Sequence, residues 1–155
     1  MASGNGFIAK HFDCARAEIA RLAGQRRVTA LDLNIVRAML ADGKGVAREE
    51  AEALFALECA DNEKCPEWTD FFVEAITDHV VWQVRPTGVV NTPQAEWLVE
   101  QVDNAASVNA LAALVNVIAE AHRVPVWLPA AARGRACADW TGVNEALAAA
   151  RAEAA

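Results

Sequence analysis

Apolar residues recur along this chain at three- and four-residue spacing, and polar or glycine-containing stretches separate the segments that carry them. Ile8, Phe12, Ala15, Ile19 and Leu22 predict a first helix over 7–23, closed by Gly24 and the basic pair Arg26-Arg27. Leu33, Val36 and Leu40, with Ile35 and Met39 beside them, predict a second. Its start is legible: Thr29 can cap it, Asp32 stands where the reciprocal bond forms, and Val28 and Leu33 flank the pair as a staple. Asp42-Gly43-Lys44-Gly45 stops it. A third helix is expected over 47–60, with Glu49 and Glu50 in the first turn, where carboxylates complement the helix dipole. After the polar run Asp61-Asn62-Glu63-Lys64, Pro66 fits the first turn of a fourth helix over 66–84. Trp68, Phe72, Ala75, His79 and Trp82 form one apolar stripe on it, and Val73, Ile76, Val80 and Val84 a second. A helix apolar on two sides is expected at the centre of a fold. Its polar strip is Asp70, Glu74, Thr77 and Asp78.

Arg85-Pro86-Thr87-Gly88 reads as a turn, with Thr92 as the cap and Pro93 as the opening of a fifth helix that buries Ala95, Leu98, Val99 and Val102. Ser107 caps a sixth, with Val108, Leu111, Val115, Ile118 and His122 inward and Asn109, Asn116 and Glu120 outward. Pro125 and Pro129 bracket Val126-Trp127-Leu128, a tight connection into a short helix, and Thr141 caps a last helix from Gly142. No segment alternates with period two for long enough to predict a strand. The pattern is that of an all-α chain of about seven or eight helices. One domain over 1–147 is expected, followed by an alanine-rich tail, 148–155, that frays.

A faint repeat adds organisation. Val46, followed by Glu50-Ala51-Glu52-Ala53-Leu54, returns 44 positions later as Val90, followed by Gln94-Ala95-Glu96-Trp97-Leu98, each copy after a glycine-containing turn. This predicts two pseudo-repeated helix–loop–helix units around the central apolar helices. Paired calcium loops would need oxygen ligands at fixed loop positions. The second loop offers Gln83, Arg85 and Thr87 there, and the first offers Met39 and Ala41, so neither suits calcium. The turns are expected to be structural, with Val46 and Val90 plugged into the core.

The stretch Ala41-Asp42-Gly43-Lys44-Gly45-Val46-Ala47-Arg48-Glu49-Glu50 is similar to the A-D-G-x-V/I-x-x-x-E signature of TerB-like and DjlA-type helical domains, linked to tellurite resistance and co-chaperones. The resemblance covers 28–122. It implies an all-α fold with two related helical halves, and an acidic, metal-associated character that maps onto Asp42 and Glu49 or Glu50. The chain inserts a residue after Asp42-Gly43 and has no Asp before Gly88.

Composition narrows the function classes. The chain has 155 residues, 54% of them hydrophobic, enough for one self-sufficient core. It has no apolar run of membrane-spanning length, and 1–10 lacks the pattern of a signal peptide, so a cytoplasmic protein is expected. Cys14, Cys59, Cys65 and Cys137 form no C-x-x-C pair, and free thiols are expected. Of the net charge of −7, the excess sits in the middle: 46–105 hold three Lys and Arg against thirteen Asp and Glu. That balance disfavours nucleic acid and anionic membranes as partners, which need dense basic residues.

Three sets of residues stand out as candidate chemistry. Trp97 lies off the core stripe of the fifth helix, near Pro93, Glu100, Gln101 and Asn104. It reads either as an exposed anchor for a protein partner, with Glu100 and Gln101 in its rim, or as a ring covered by the segment of Trp127 and Trp140. Asp70, Glu74 and Asp78, stacked at four-residue spacing, read as a solvated face, as ligands for a divalent cation, or as a face for a basic partner. His79, on a stripe with aromatic residues, reads as a buried neutral histidine or as a general base or ligand in an aromatic pocket. Glu58 puts a carboxylate on a core stripe, where a basic partner is expected. No catalytic constellation and no cofactor motif is legible. The expectation is a non-enzymatic interaction module that binds a protein partner or a second copy. The alternatives are a metal-responsive TerB-like stress protein and an enzyme built around His79.

Overall fold

The computed structural model describes residues 15–43 and 45–137. The start of the first expected helix, Trp140, and the last expected helix and tail lie outside them. Among the described residues the chain forms seven α-helices and a few short extended pairs. Helix α1 covers 15–23, β1 Arg27–Val28, α2 Ala30–Asp42, α3 Arg48–Cys59 and β2 Glu63–Lys64. Then come α4 (Trp68–Thr77), a π-helical turn (Asp78–Gln83), α5 (Thr92–Ala105), α6 (Val108–Glu120) and α7 (Leu128–Ala136).

The caps follow from short polar side chains. Thr29 accepts from the Asp32 amide at 3.2 Å and Asp32 Oδ2 accepts from the Thr29 amide at 2.9 Å, a closed capping box. Ser107 accepts from the Ala110 amide at 3.1 Å. On α5 the cap is Asn91, not Thr92: Asn91 Oδ1 accepts from the Gln94 amide at 2.9 Å, and Thr92 is the first helical residue. Asn caps at least as well as Thr, and the helix starts one residue earlier.

The strands were not expected because each is too short for a period-two pattern. β1 and β2 pair in parallel, Arg27 with Glu63 and Val28 with Lys64, so they bracket α2 and α3. Val89 and Arg123 form a parallel bridge that brackets α5–α6 in the same manner. The exits match as well: Ala60 ends α3 at φ −68°, ψ 141° and Ala121 ends α6 at φ −67°, ψ 142°. Cys65-Pro66 then leads into α4 and Val124-Pro125 into α7.

α4 is central and packs most extensively on α6. Trp68, Phe72, Ile76 and Leu54 are buried with Leu98, Leu114 and Leu128, and Phe55 meets Phe72 edge-on at 5.1 Å. Each such side chain contributes about 1.5–3 kcal/mol of transfer free energy. Glu58, expected beside a basic residue, instead accepts from the Trp68 indole at 2.7 Å and from the Asn109 amide at 3.0 Å. It satisfies two polar groups that the α3–α4–α6 contact takes out of water. Val46 and Val90 are both buried, as expected.

Candidate partner-binding groove

Two arrangements gather the residues that carry chemistry, and one of them is closed. Trp97 is only 8% exposed, and α3 covers it. Its indole donates to Glu52 Oε1 at 3.2 Å, the Arg48 guanidinium lies over the ring at 5.0 Å, and Phe55 meets it at 6.1 Å. The exposed anchor expected at Trp97 is therefore corrected: α3 packs beside α5 and takes the ring into its own contacts. Glu100 is exposed and Gln101 half-buried. Glu100 joins Glu96, Val99, Asp103 and Trp127 around a separate hollow that Trp97 does not line.

His79 is buried against the same ring, 5.3 Å away edge to face. Its Nδ1 lies 2.9 Å from the Val46 carbonyl oxygen. A carbonyl only accepts, so Nδ1 carries the proton and Nε2 presents a lone pair. Burial pushes the His79 pKa below the ordinary histidine value, and the neighbouring Arg48 lowers it further against the Val46 bond. Among the described residues Nε2 has no partner, and two more buried polar atoms, Glu50 Oε2 and Gln94 Nε2, have none either. His79 lines none of the hollows described here. A general base must reach the proton it removes, and this imidazole is walled in by Trp97 and Val46.

The second arrangement is open, and a change of helix type creates it. After Thr77 the bonding changes from α to π, which adds a residue to the turn and shifts the phase of the side chains that follow. His79, Val80 and Val81 stay buried, whereas Trp82 turns outward and is 40% exposed. Trp82 was expected on the core stripe. Its ring rests edge-on against His122 at 6.0 Å, and the His122 amide is tied to the Gly88 carbonyl at 2.8 Å.

In front of Trp82 lies a hollow of about 370 Å³. Leu40, Val46, Phe71 and Ala75 give it an apolar floor, and Glu74, Asp78 and Glu120 stand around it with Arg37. Asp78 accepts from Gln83 Nε2 at 3.1 Å, and Glu120 from Asn116 Nδ2 at 3.0 Å. The same Asn116 nitrogen reaches the buried Thr77 hydroxyl at 2.8 Å. Arg37 stacks over Phe71 at 5.4 Å instead of pairing. Among the described residues none of the three carboxylates has a Lys or Arg within ion-pair distance.

Glu74 and Glu120 also border an adjoining hollow of about 730 Å³ between α4 and α6, floored by Val73, Val108, Leu111 and Val115. Val115 is 51% exposed. It was expected in the core with Ile118 and His122. The buried face of α6 is Ala110, Leu111, Ala113, Leu114 and Val117 instead. α6 carries apolar residues on more than one side, so two stripes compete, and Val108 and Val115 of the second are left to floor the groove with the edge of Leu111.

Asp70, Glu74 and Asp78 thus line parts of one groove, but they make no metal centre. No group of three His, Cys, Asp or Glu among the described residues is placed to hold an ion. The reason is length: eight residues of helix separate Asp70 from Asp78 by roughly 12 Å. Asp42 and Glu49 are exposed and Glu50 is buried, so they do not converge either. Arg37, Trp82 and Glu120 were not singled out from sequence. Only the π turn could have flagged Trp82, and no residue pattern announces it.

No family model, curated protein or solved structure matches the chain. No helix among the described residues is long and apolar enough to cross a membrane.

Proposed function

We propose that the protein is a non-enzymatic helical module that binds a protein partner, accepting a basic and partly apolar segment in the α4–α6 groove. One observation carries this reading: an apolar floor open to solvent is rimmed by Asp70, Glu74, Asp78 and Glu120, with Arg37 as the one cation among the described residues that line it. Apolar area gives such a surface affinity, and the carboxylates steer and select a positively charged partner. The same charge argues against self-association through this face, because two acidic grooves repel. Free Cys59, Cys65 and Cys137 suit a protein of the cytoplasm. The TerB-like resemblance of the Asp42–Glu50 stretch stands beside this reading as a proposal of kinship in fold. The metal-responsive alternative has no assembled ligand set among the described residues to support it.

Isotope-labelled protein titrated with a synthetic amphipathic helix of Lys and Leu tests the reading, with the Glu/Leu counterpart as control. Shifts confined to the residues that line the two hollows, on α2, α4 and α6 and at Trp82, that weaken with added salt support it. Absence of shifts at millimolar peptide, or equal binding of both peptides, overturns it.

A further inference from the structure

The hollow in front of Trp82 differs from the rest of the groove in having an aromatic wall, and that wall selects among cations. We infer that this hollow is the binding site for a guanidinium group, presented as an arginine side chain by the partner. The inference rests on the reading of the groove as a partner-binding surface.

Four features converge. The walls hold Glu74, Asp78 and Glu120, and among the described residues no Lys or Arg pairs with them, Arg37 included, so the described lining carries an excess of negative charge. Asp78 and Glu120 are each held by one amide donor, from Gln83 and Asn116, which fixes a carboxylate and leaves its other oxygen to accept. Glu74 has no hydrogen-bond partner among the described residues and accepts with both oxygens. Trp82 is the aromatic wall, fixed from behind by His122. Several acceptors and a flat ring lining one hollow fit a planar group with five donors better than a compact ammonium. The floor is apolar, and guanidinium is the more weakly hydrated of the two cations, so it loses less on entering. Arg37 lies over Phe71 at 5.4 Å, which is the same kind of contact made within the chain.

The phase shift at the π turn makes the site possible. Asp78 opens the turn and Trp82 lies near its end, and both face the hollow, while His79, Val80 and Val81 between them are buried. The turn thereby joins a carboxylate and a ring on one wall without exposing the residues between.

The test uses small probes in place of a partner. The full chain is titrated with n-butylguanidinium, n-butylammonium and 1-pentanol, and the indole N–H signal of Trp82 is followed by NMR. Butylguanidinium is expected to shift that signal and the Glu74 and Asp78 amides. Butylammonium is expected to bind about fivefold more weakly, and pentanol to leave the signal in place. Trp82→Ala and Glu74→Gln, both at solvent-exposed positions, are each expected to weaken butylguanidinium about fivefold while the far-ultraviolet circular dichroism stays unchanged. Equal binding of the two cations, or wild-type affinity in both variants, overturns the inference. Its failure is separable from that of the groove reading. A Lys/Leu peptide that binds wild type and Trp82→Ala alike keeps the groove and removes the guanidinium site. Butylguanidinium binding without peptide binding does the reverse.

Discussion

His79 Nδ1 lies 2.9 Å from the Val46 carbonyl, so the π turn that brings Asp78 and Trp82 to the groove is fastened to the start of α3. The bond joins the one irregular turn of the central helix to the residue that plugs the loop before α3. Removing it leaves a carbonyl without its partner in a buried place and a void beside Trp97. His79→Ala is expected to cost about 3 kcal/mol, combining the lost hydrogen bond with a partly filled cavity. Urea unfolding of variant and wild type measures it. A change below about 0.5 kcal/mol would mean that the turn holds its shape without the bond.

The same histidine gives stability a pH dependence of definite sign. Burial lowers its folded-state pKa below the ordinary 6.5. The unfolded chain therefore binds the proton first, and the contribution is complete above 6.5 and lost as pH falls from there toward the folded value. The charged groups facing the ring are Arg48 and Glu50 on α3 and Asp78 on its own turn. Arg48 opposes protonation and the two carboxylates favour it, so the fall is gradual. His79→Gln, which can still donate to Val46, is expected to flatten the slope between pH 7.5 and pH 5.5. Matching slopes in the two proteins would assign the pH dependence elsewhere.

Trp97 is a structural residue, and its substitution reports on stability. Trp97→Ala removes a ring held by Glu52, Arg48, Phe55 and His79 and is expected to cost about 3–5 kcal/mol. Light scattering is expected to give one molecular mass for wild type and for any folded fraction of the variant. Loss of a dimer in the variant would restore Trp97 as an interface anchor.

Two glycines are expected to respond unequally to alanine. Gly45 (φ 107°) and Gly88 (φ 81°) both lie where an L side chain is strained. At Gly45 the new methyl meets the end of the Gln83 side chain, which can swing away, at the loss of its bond to Asp78. At Gly88 it would collide with the His122 ring, which is braced against Trp82. Gly88→Ala is therefore expected to destabilise more than Gly45→Ala and to move the Trp82 indole signal, with thermal unfolding and NMR as the two readouts.

These positions also mark where the sequence was legible. Helix number, the Thr29 and Ser107 caps, and the Leu33, Val36 and Leu40 stripe could all be read, because each depends on neighbours within a turn or two. The site could not. Trp97 could be read as exposed or as covered by the segment of Trp127 and Trp140, because a helical wheel cannot see α3 arriving to cover it. Trp82 looked buried because the wheel assumes one bonding pattern, and the π turn breaks it. On α6 two apolar stripes met the same rule, and the choice between them was made by packing on α4.

The groove itself is tested most directly by the Lys/Leu peptide against the paired variant Glu74→Gln, Glu120→Gln, since these two carboxylates border both hollows. Glu74 and Glu120 are exposed, and the fold is expected to survive the change. The account predicts peptide binding that is about tenfold weaker in the variant at low salt, with the difference shrinking as salt is added. Undiminished binding by the variant at every salt concentration would contradict it.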